Sequence, residues 1–256
     1  MTNPHGSWLW YELITTDADG ASAFYGDLIG WQARPAGQEG MDYRLFAMNG
    51  EDVGGFMAMP GNPMPLCWLG YISVDDVDAT AALVRQHGGA VHMGPQDIPG
   101  VGRFAFCADP DGAMFYIMRG SVEGGVSKAF GGHDGPAGHF AWNELAAADP
   151  ARSLAFYGAL FGWVVLDTMD MGPAGLYEMI GPVAGKPMGA IMPVQPATPR
   201  PVWSHYIHVT GIDAAQERVK AGGGTVLFGP SEIPGGDYIL IGTDPQGAAF
   251  SIVGAK

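Results

Sequence analysis

Cationic side chains are scarce in this sequence: 12 Lys and Arg stand against 26 Asp and Glu in 256 residues, a formal net charge of −14. Phosphate backbones and anionic membrane surfaces are bound through clusters of Lys and Arg. No such cluster occurs, which argues against nucleic acid and membrane as partners. Apolar runs near the roughly 18 residues that a spanning helix needs are also missing. The N-terminal stretch has no basic region leading into an apolar one, so the expectation is a cytoplasmic protein. Only two cysteines occur, Cys67 and Cys107, without metal-type spacing and in apolar, strand-like surroundings. That usage suits reduced thiols in the cytosol. Phosphate-loop and nucleophile motifs are lacking too. The glycine-rich stretches at 94–102 and 229–237 lead into neither Lys-Ser/Thr nor a helix, and no Ser-His-Asp order is visible.

Turn formers and repetition are what the chain has in abundance. Its 41 glycines and 20 prolines punctuate apolar segments in a sequence that is 47% hydrophobic. They therefore mark turns between short strands rather than disorder. Trp10-Tyr11-Glu12-Leu13, Ala23-Phe24-Tyr25-Gly26 and Gly30-Trp31 return 132 residues later as Trp142-Asn143-Glu144-Leu145, Ala155-Phe156-Tyr157-Gly158 and Gly162-Trp163. Asp109-Pro110-Asp111-Gly112 returns as Asp244-Pro245-Gln246-Gly247, now 135 residues on. So small a drift is that of short loop insertions between two copies of one fold. Domains are expected at 6–119 and 139–254, joined by a Gly-rich linker at 120–138.

Each copy is itself doubled. A strand, an acidic turn and a helix run through Trp10–Thr16, Asp17-Ala18-Asp19 and Ala21–Leu28, and the same order recurs in Leu69–Asp75, Asp76-Val77-Asp78 and Ala79–Gln86. Aspartate suits the helix N-terminus, where its carboxylate caps free N–H groups. Short β-like runs ended by Gly or Pro follow each helix. The expected fold class is therefore α+β: tandem duplicated domains, each of two βαβββ units, with curved, cup-shaped sheets and the helices outside.

Strand parity selects candidate site residues. Ile72 and Val74 alternate with Tyr71 and Ser73, and Ile207 and Val209 alternate with Tyr206 and His208. The aliphatic set packs under the helix, so the other set faces the opposite side of the sheet. Carried through the repeats, this places Trp10, Glu12, Trp142 and Glu144 on the same side as Tyr71, Tyr206 and His208. A carboxylate on a face otherwise lined by Trp, Tyr, Ile and Ala is partly desolvated, which favours general-base behaviour. Glu12 and Glu144 are the candidate bases, and His208 is a candidate acid/base partner for Glu144. His205, of opposite parity, is expected near the outer end of its strand. Trp10, Trp142, Tyr71 and Tyr206 are candidate aromatic walls for a flat ligand.

The Ser22-Ala23-Phe24-Tyr25 and Gly30-Trp31 helix exit, Val74-Asp75-Asp76-Val77-Asp78, the Asp109-Pro110-Asp111-Gly112 turn and their second copies together resemble the vicinal oxygen chelate superfamily. This is the glyoxalase, bleomycin-resistance and extradiol dioxygenase group, here in its tandem two-domain, glyoxalase-like or hydroxylase-named form. The resemblance implies the cup fold. It also implies a divalent metal held by His or Glu from the first, fourth, fifth and eighth strands. At those positions this sequence carries Trp10 and Trp142, Leu69 and Ser204, and Tyr116 and Ser251, and its fourth-strand stretches Gly54-Gly55-Phe56-Met57 and Met188-Gly189-Ala190-Ile191 offer no carboxylate or imidazole. No cofactor is therefore expected; His208 and Glu144 are the remaining weak metal candidates. Tyr116 joins the ligand-lining set.

The expectation is a binder of a small, apolar or aromatic carbonyl or hydroxy compound. Its chemistry, where it has any, is metal-independent lyase- or isomerase-type proton transfer by Glu12 or Glu144 with His208. One alternative is a non-catalytic, antibiotic-type binding protein. The other is a divalent-metal lyase or dioxygenase with unusual ligands. The partner is a small molecule, and the chain is either a monomer whose two domains pair or a homodimer.

Overall fold

The computed structural model describes residues 3–37, 42–59, 61, 65–120, 125–196 and 198–256. Among these, four βαβββ modules follow one another. The first is β1 (Trp8–Thr15), α1 (Ala18–Ile29), β2 (Gln32–Pro35), β3 (Tyr43–Met48) and β4 (Glu51–Ala58). The second is β5 (Cys67–Ser73), α2 (Val77–Gln86), β6 (Ala90–Ile98), β7 (Gly102–Ala108) and β8 (Met114–Gly120). The third is β9 (Phe140–Ala147), α3 (Pro150–Phe161), β10 (Trp163–Asp170), β11 (Leu176–Pro182) and β12 (Gly189–Pro193). The fourth is β13 (Val202–His208), α4 (Ile212–Ala221), β14 (Thr225–Glu232), β15 (Tyr238–Thr243) and β16 (Ala249–Gly254).

The described strands form two eight-stranded sheets of identical design, β2-β3-β4-β1-β5-β8-β7-β6 and β10-β11-β12-β9-β13-β16-β15-β14. Within the first module β2, β3 and β4 run as an antiparallel meander, and β1 lies parallel beside β4. The α+β class and the tandem βαβββ architecture expected from the repeats are what the chain adopts. Packing follows a different division from sequence. One compact unit holds Met1–Leu9, Gly70–Ser127 and Asn143–Ser204; the other holds Trp10–Leu69, Lys128–Trp142 and His205–Lys256. Each unit therefore draws on both copies.

The acidic turns do cap helices. Asp17, Asp76 and Asp149 accept hydrogen bonds from the backbone N–H of Gly20, Ala79 and Arg152 at 3.0, 2.9 and 3.1 Å. At the other end, α1 and α3 stop on Gly30 and Gly162, whose φ values of 93° and 69° lie where a side chain is disfavoured. The left-handed turn throws the next residue inward, and Trp31 and Trp163 are buried. Their indole N–H groups donate to the carbonyls of Gly138 and Gly6 at 2.7 and 2.8 Å. The Gly-Trp pairs of the repeat are thus helix exits that seed the core. Of the expected linker, 121–124 lie outside the described residues. Its later part is tied down: Phe130 bridges Phe140, and the N–H of Gly131 donates to the Phe140 carbonyl.

The Asp-Pro turns do more than reverse the chain. In one unit Asp109 Oδ1 accepts from the N–H groups of Asp111 and Ala113, both at 2.9 Å, while Oδ2 accepts from the Tyr157 hydroxyl at 3.2 Å. Trp203 Nε1 donates to that hydroxyl at 2.8 Å. The other unit repeats the relay with Trp68, Tyr25 and Asp244 at 3.0 and 3.2 Å. Burial raises the Asp109 and Asp244 carboxyls above the usual range, with the backbone amides opposing that shift. It also raises both tyrosines well above theirs. In each relay the tyrosine comes from one copy and the aspartate from the other.

Candidate functional site

Glu12 stands in β1 opposite Gly55 of β4, which in turn faces Leu45 of β3. Two residues before Leu45 is Tyr43, whose ring lies against Gly55; a Cβ at that glycine would fall on the Tyr43 hydroxyl. The hydroxyl accepts a hydrogen bond from Trp10 Nε1 at 3.0 Å. Glu12 is buried, at 3% exposure, whereas Trp10 and Tyr43 are half-buried. Cys67 of β5 feels the arrangement: burial first, and then the negative charge of Glu12, push its thiol up to about 12.

The second copy repeats the pattern. Glu144 in β9 stands opposite Ala190 of β12, and Ala190 faces Met179 of β11. Two residues before Met179 is Tyr177, whose hydroxyl donates to Glu144 Oε2 at 2.9 Å. Both side chains are half-buried.

The aromatic candidates fall into two groups. Tyr71 and Tyr116 are register partners on β5 and β8 and stack at 4.2 Å with 10° between their planes. Phe106 packs against the same Tyr116 ring at 4.8 Å. Trp142 packs against a buried cluster of Ala141, Tyr206 and Val253, beside Ile233 and Ile239. Tyr206 has Ser251, a far smaller side chain, as its register partner where Tyr71 has Tyr116.

His208 is half-buried, and its Nδ1 lies 2.7 Å from the Gly135 carbonyl. A carbonyl accepts only from a protonated ring nitrogen, which fixes the tautomer. The ring is thereby anchored on the segment leading into β9. His205 corrects the expectation of an outer-end position. It is buried, its ring 5.0 Å from that of Tyr11, which stacks on Phe140 at 3.6 Å. Burial lowers its pKa to about 3, so it is a neutral core residue.

A sequence model of the Glyoxalase/Bleomycin resistance protein/Dioxygenase superfamily matches residues 8–117 and again 137–252. The chain belongs to that superfamily. Among relatives of this superfamily member is "Putative glyoxylase CFP32" of Mycobacterium tuberculosis, 34% identical over 95% of this chain and 93% of that protein. The "Anthracycline biosynthesis protein DnrV" of Streptomyces peucetius is 32% identical over 97% of this chain and 93% of that protein. Of solved structures, the Mn(II)-bound glyoxalase from Novosphingobium aromaticivorans aligns with a TM-score of 0.66 at 17% identity, covering 99% of this chain and 83% of that one. That last likeness is one of fold.

The superfamily's metal does not fit the residues here. The positions that the resemblance gives to its ligands hold two indoles, one phenol, a leucine and two serines, which are poor donors for a divalent cation. Among the described residues, no three His, Cys, Asp or Glu side chains gather as a group that could hold a metal ion. In this superfamily member the polar groups at hand are instead the two first-strand carboxylates and their tyrosines. Tyr43 and Tyr177 were missed by the sequence reading. The repeat itself carried the signal: they lie 134 residues apart, between the 132 and 135 of the flanking motifs.

Proposed function

We propose that this chain binds a small, flat, apolar or aromatic compound bearing a carbonyl or hydroxyl group, and that a first-strand carboxylate handles a proton of that compound. The observation that carries this reading is the recurrence in both copies of a first-strand carboxylate, a tryptophan two residues before it and a third-strand tyrosine, which bonds the tryptophan in the first copy and the carboxylate in the second. Binding sites for flat compounds use aromatic surface for affinity and a few polar groups for orientation. The superfamily fold holds small molecules, and among the similar proteins is one named for anthracycline biosynthesis. An anthracycline is a flat polycyclic aromatic with carbonyl and hydroxyl groups, which is the chemistry proposed here.

As a base, Glu12 or Glu144 removes a proton from the carbon next to a carbonyl. The C–H electron pair becomes the C=C bond of an enolate, and the carbonyl π pair moves onto oxygen. Return of the proton to the opposite face of that carbon inverts it, while in a β,γ-unsaturated ketone the enolate extends over the C=C bond and return of the proton at the γ-carbon moves the double bond into conjugation.

Two experiments test this. Hydroxyanthraquinones titrated against the protein should quench tryptophan fluorescence saturably; failure of all of them to do so ends the reading. Incubation with 1-tetralone in D2O, followed by NMR, should show deuterium entering beside the carbonyl faster than in buffer. The Glu12→Gln, Glu144→Gln double variant should lose that acceleration. Binding without any exchange would instead assign the chain to the non-catalytic binding proteins.

A further inference from the structure

Arg103 of β7 and Arg119 of β8 are register partners, which sets two like charges opposite each other across a strand pair at a cost to the sheet. The fold does not need them. In the second copy the equivalent register pair is Tyr238 and Gly254. There the Tyr238 hydroxyl donates to Glu232 at 3.1 Å, and a Cβ at Gly254 would fall on the Val209 carbonyl, so no side chain fits. The two arginines are an addition of the first copy, in a chain where 12 cationic residues stand against 26 acidic ones.

Both line a cavity of about 370 Å³ at the β6–β7 turn, and among the described residues Asp97 is the one acid in its wall. Ile98 and Pro99 give it an apolar side, while Gly102 and Gly120 contribute backbone alone. Those two glycines are Asp237 and Ala255 in the second copy. Aspartates orient the guanidinium groups. Arg103 donates to both oxygens of Asp78 at 2.7 and 2.8 Å and to Asp97 at 3.1 Å. Arg119 donates to the Asp75 carbonyl and lies 3.8 Å from the Asp75 carboxylate. A guanidinium carries five N–H donors, so both arginines keep donors to spare, and Arg119 keeps most of its own.

We propose that this cavity binds a small organic carboxylate with an apolar body. The planar fork of Arg119 matches a carboxylate with two parallel N–H···O bonds, and the remaining donors of Arg103 add to them. Ile98 and Pro99 cover the apolar body. An anion between the two guanidinium groups also offsets their mutual repulsion, which the second copy avoids by having neither. The site shares no residue with the first-strand carboxylates and goes beyond the reading given to them.

The test titrates the full chain into 4-fluorobenzoate and follows the fluorine NMR line of the probe at low ionic strength. The line should broaden saturably, and added sodium chloride should weaken binding by screening the charges. Arg119→Gln should weaken it at least about fivefold, the share of one exposed charge pair. Arg119→Lys keeps the charge but not the fork and should fall between the two; it stands in should Arg119→Gln fold poorly. Fluoroacetate, a carboxylate without the ring, should bind at least about fivefold more weakly than 4-fluorobenzoate. Tyr238→Phe, at the equivalent corner of the second copy, should bind as wild type. A line that does not broaden, or binding undiminished in both Arg119 variants, overturns the proposal. So does binding that falls in Glu144→Gln but persists in Arg119→Gln, which places the probe at a first-strand carboxylate. Displacement of the probe by inorganic phosphate as readily as by unlabelled benzoate overturns it too, since the apolar body would then contribute nothing.

Discussion

Tyr157→Phe is the most direct probe of what holds one packing unit together. Tyr157 is fully buried, and its hydroxyl both accepts from Trp203 Nε1 at 2.8 Å and donates to Asp109 Oδ2 at 3.2 Å. Phenylalanine keeps the ring and removes both bonds. Each buried polar group deprived of a partner costs about 1–3 kcal/mol, more for a charged one. Asp109 keeps two backbone N–H bonds on its other oxygen, which limits its share, so the loss at neutral pH should be about 2–4 kcal/mol. The pH dependence follows from the carboxyl. Burial raises the Asp109 pKa, and the Tyr157 hydroxyl is among the groups that lower it. A raised acid pKa means that the folded state binds the proton more tightly than the unfolded one. The stability this contributes is full below the ordinary carboxylate range and disappears as pH rises through the folded value. Removing the hydroxyl raises the folded value further, so the variant should lose more at pH 7 than at pH 4. Urea unfolding at several pH values measures this, and Tyr25→Phe in the other unit should behave alike. A loss under about 0.5 kcal/mol, or one flat in pH, would refute the relay as a stabilising element.

Gly55→Ala drives a methyl group into the Tyr43 hydroxyl. It should cost about 1–3 kcal/mol by overpacking and alter tryptophan emission through Trp10, both seen in a fluorescence-detected melt. His205→Leu tests the buried imidazole. With its pKa depressed to about 3, His205 contributes stability that is full above the ordinary histidine value and lost as pH falls toward 3. The variant should therefore show a flatter stability profile between pH 6.5 and 3 in acid-unfolding curves. Cys67 and Cys107, both pushed up to about 12 by burial, should resist Ellman's reagent at pH 8 in the native protein and react together after denaturation.

Most of the fold was legible because each motif had a local physical reason. Asp17 and Asp76 read as caps and are caps. Gly30 and Gly162 read as helix exits and adopt positive φ. The partners of those motifs were not legible, since they come from elsewhere in the chain. Asp109 looked like a turn former, yet its second oxygen serves a tyrosine 48 residues away. Parity selected Glu12 and Glu144 but could not supply Tyr43 or Tyr177, which act across a sheet from the third strand of each module. Nor could parity place His205. Alternation put His205 on the aliphatic face of β13 but not at a depth along it, and Trp203, His205 and Ile207 on that face are all buried.

The exchange of partners between copies carries a consequence for the chain as a whole. Tyr25 of the first copy meets Asp244 of the second, and Tyr157 of the second meets Asp109 of the first. A fragment ending at residue 128 therefore retains Tyr25 and Asp109 but loses the partner of each. The two halves are homologous, however, so Tyr25 of one fragment fits Asp109 of another as it fits Asp244. The isolated first copy should accordingly be unstable as a monomer and gain structure as a homodimer, with folding that depends on protein concentration. Light scattering coupled to size exclusion, with circular dichroism across a dilution series, distinguishes the cases. Tyr25→Phe in the fragment should shift the equilibrium toward monomer. A fragment that is monomeric, folds cooperatively and melts independently of concentration would show that each copy is self-sufficient, and that the crossed relays are incidental to the fold.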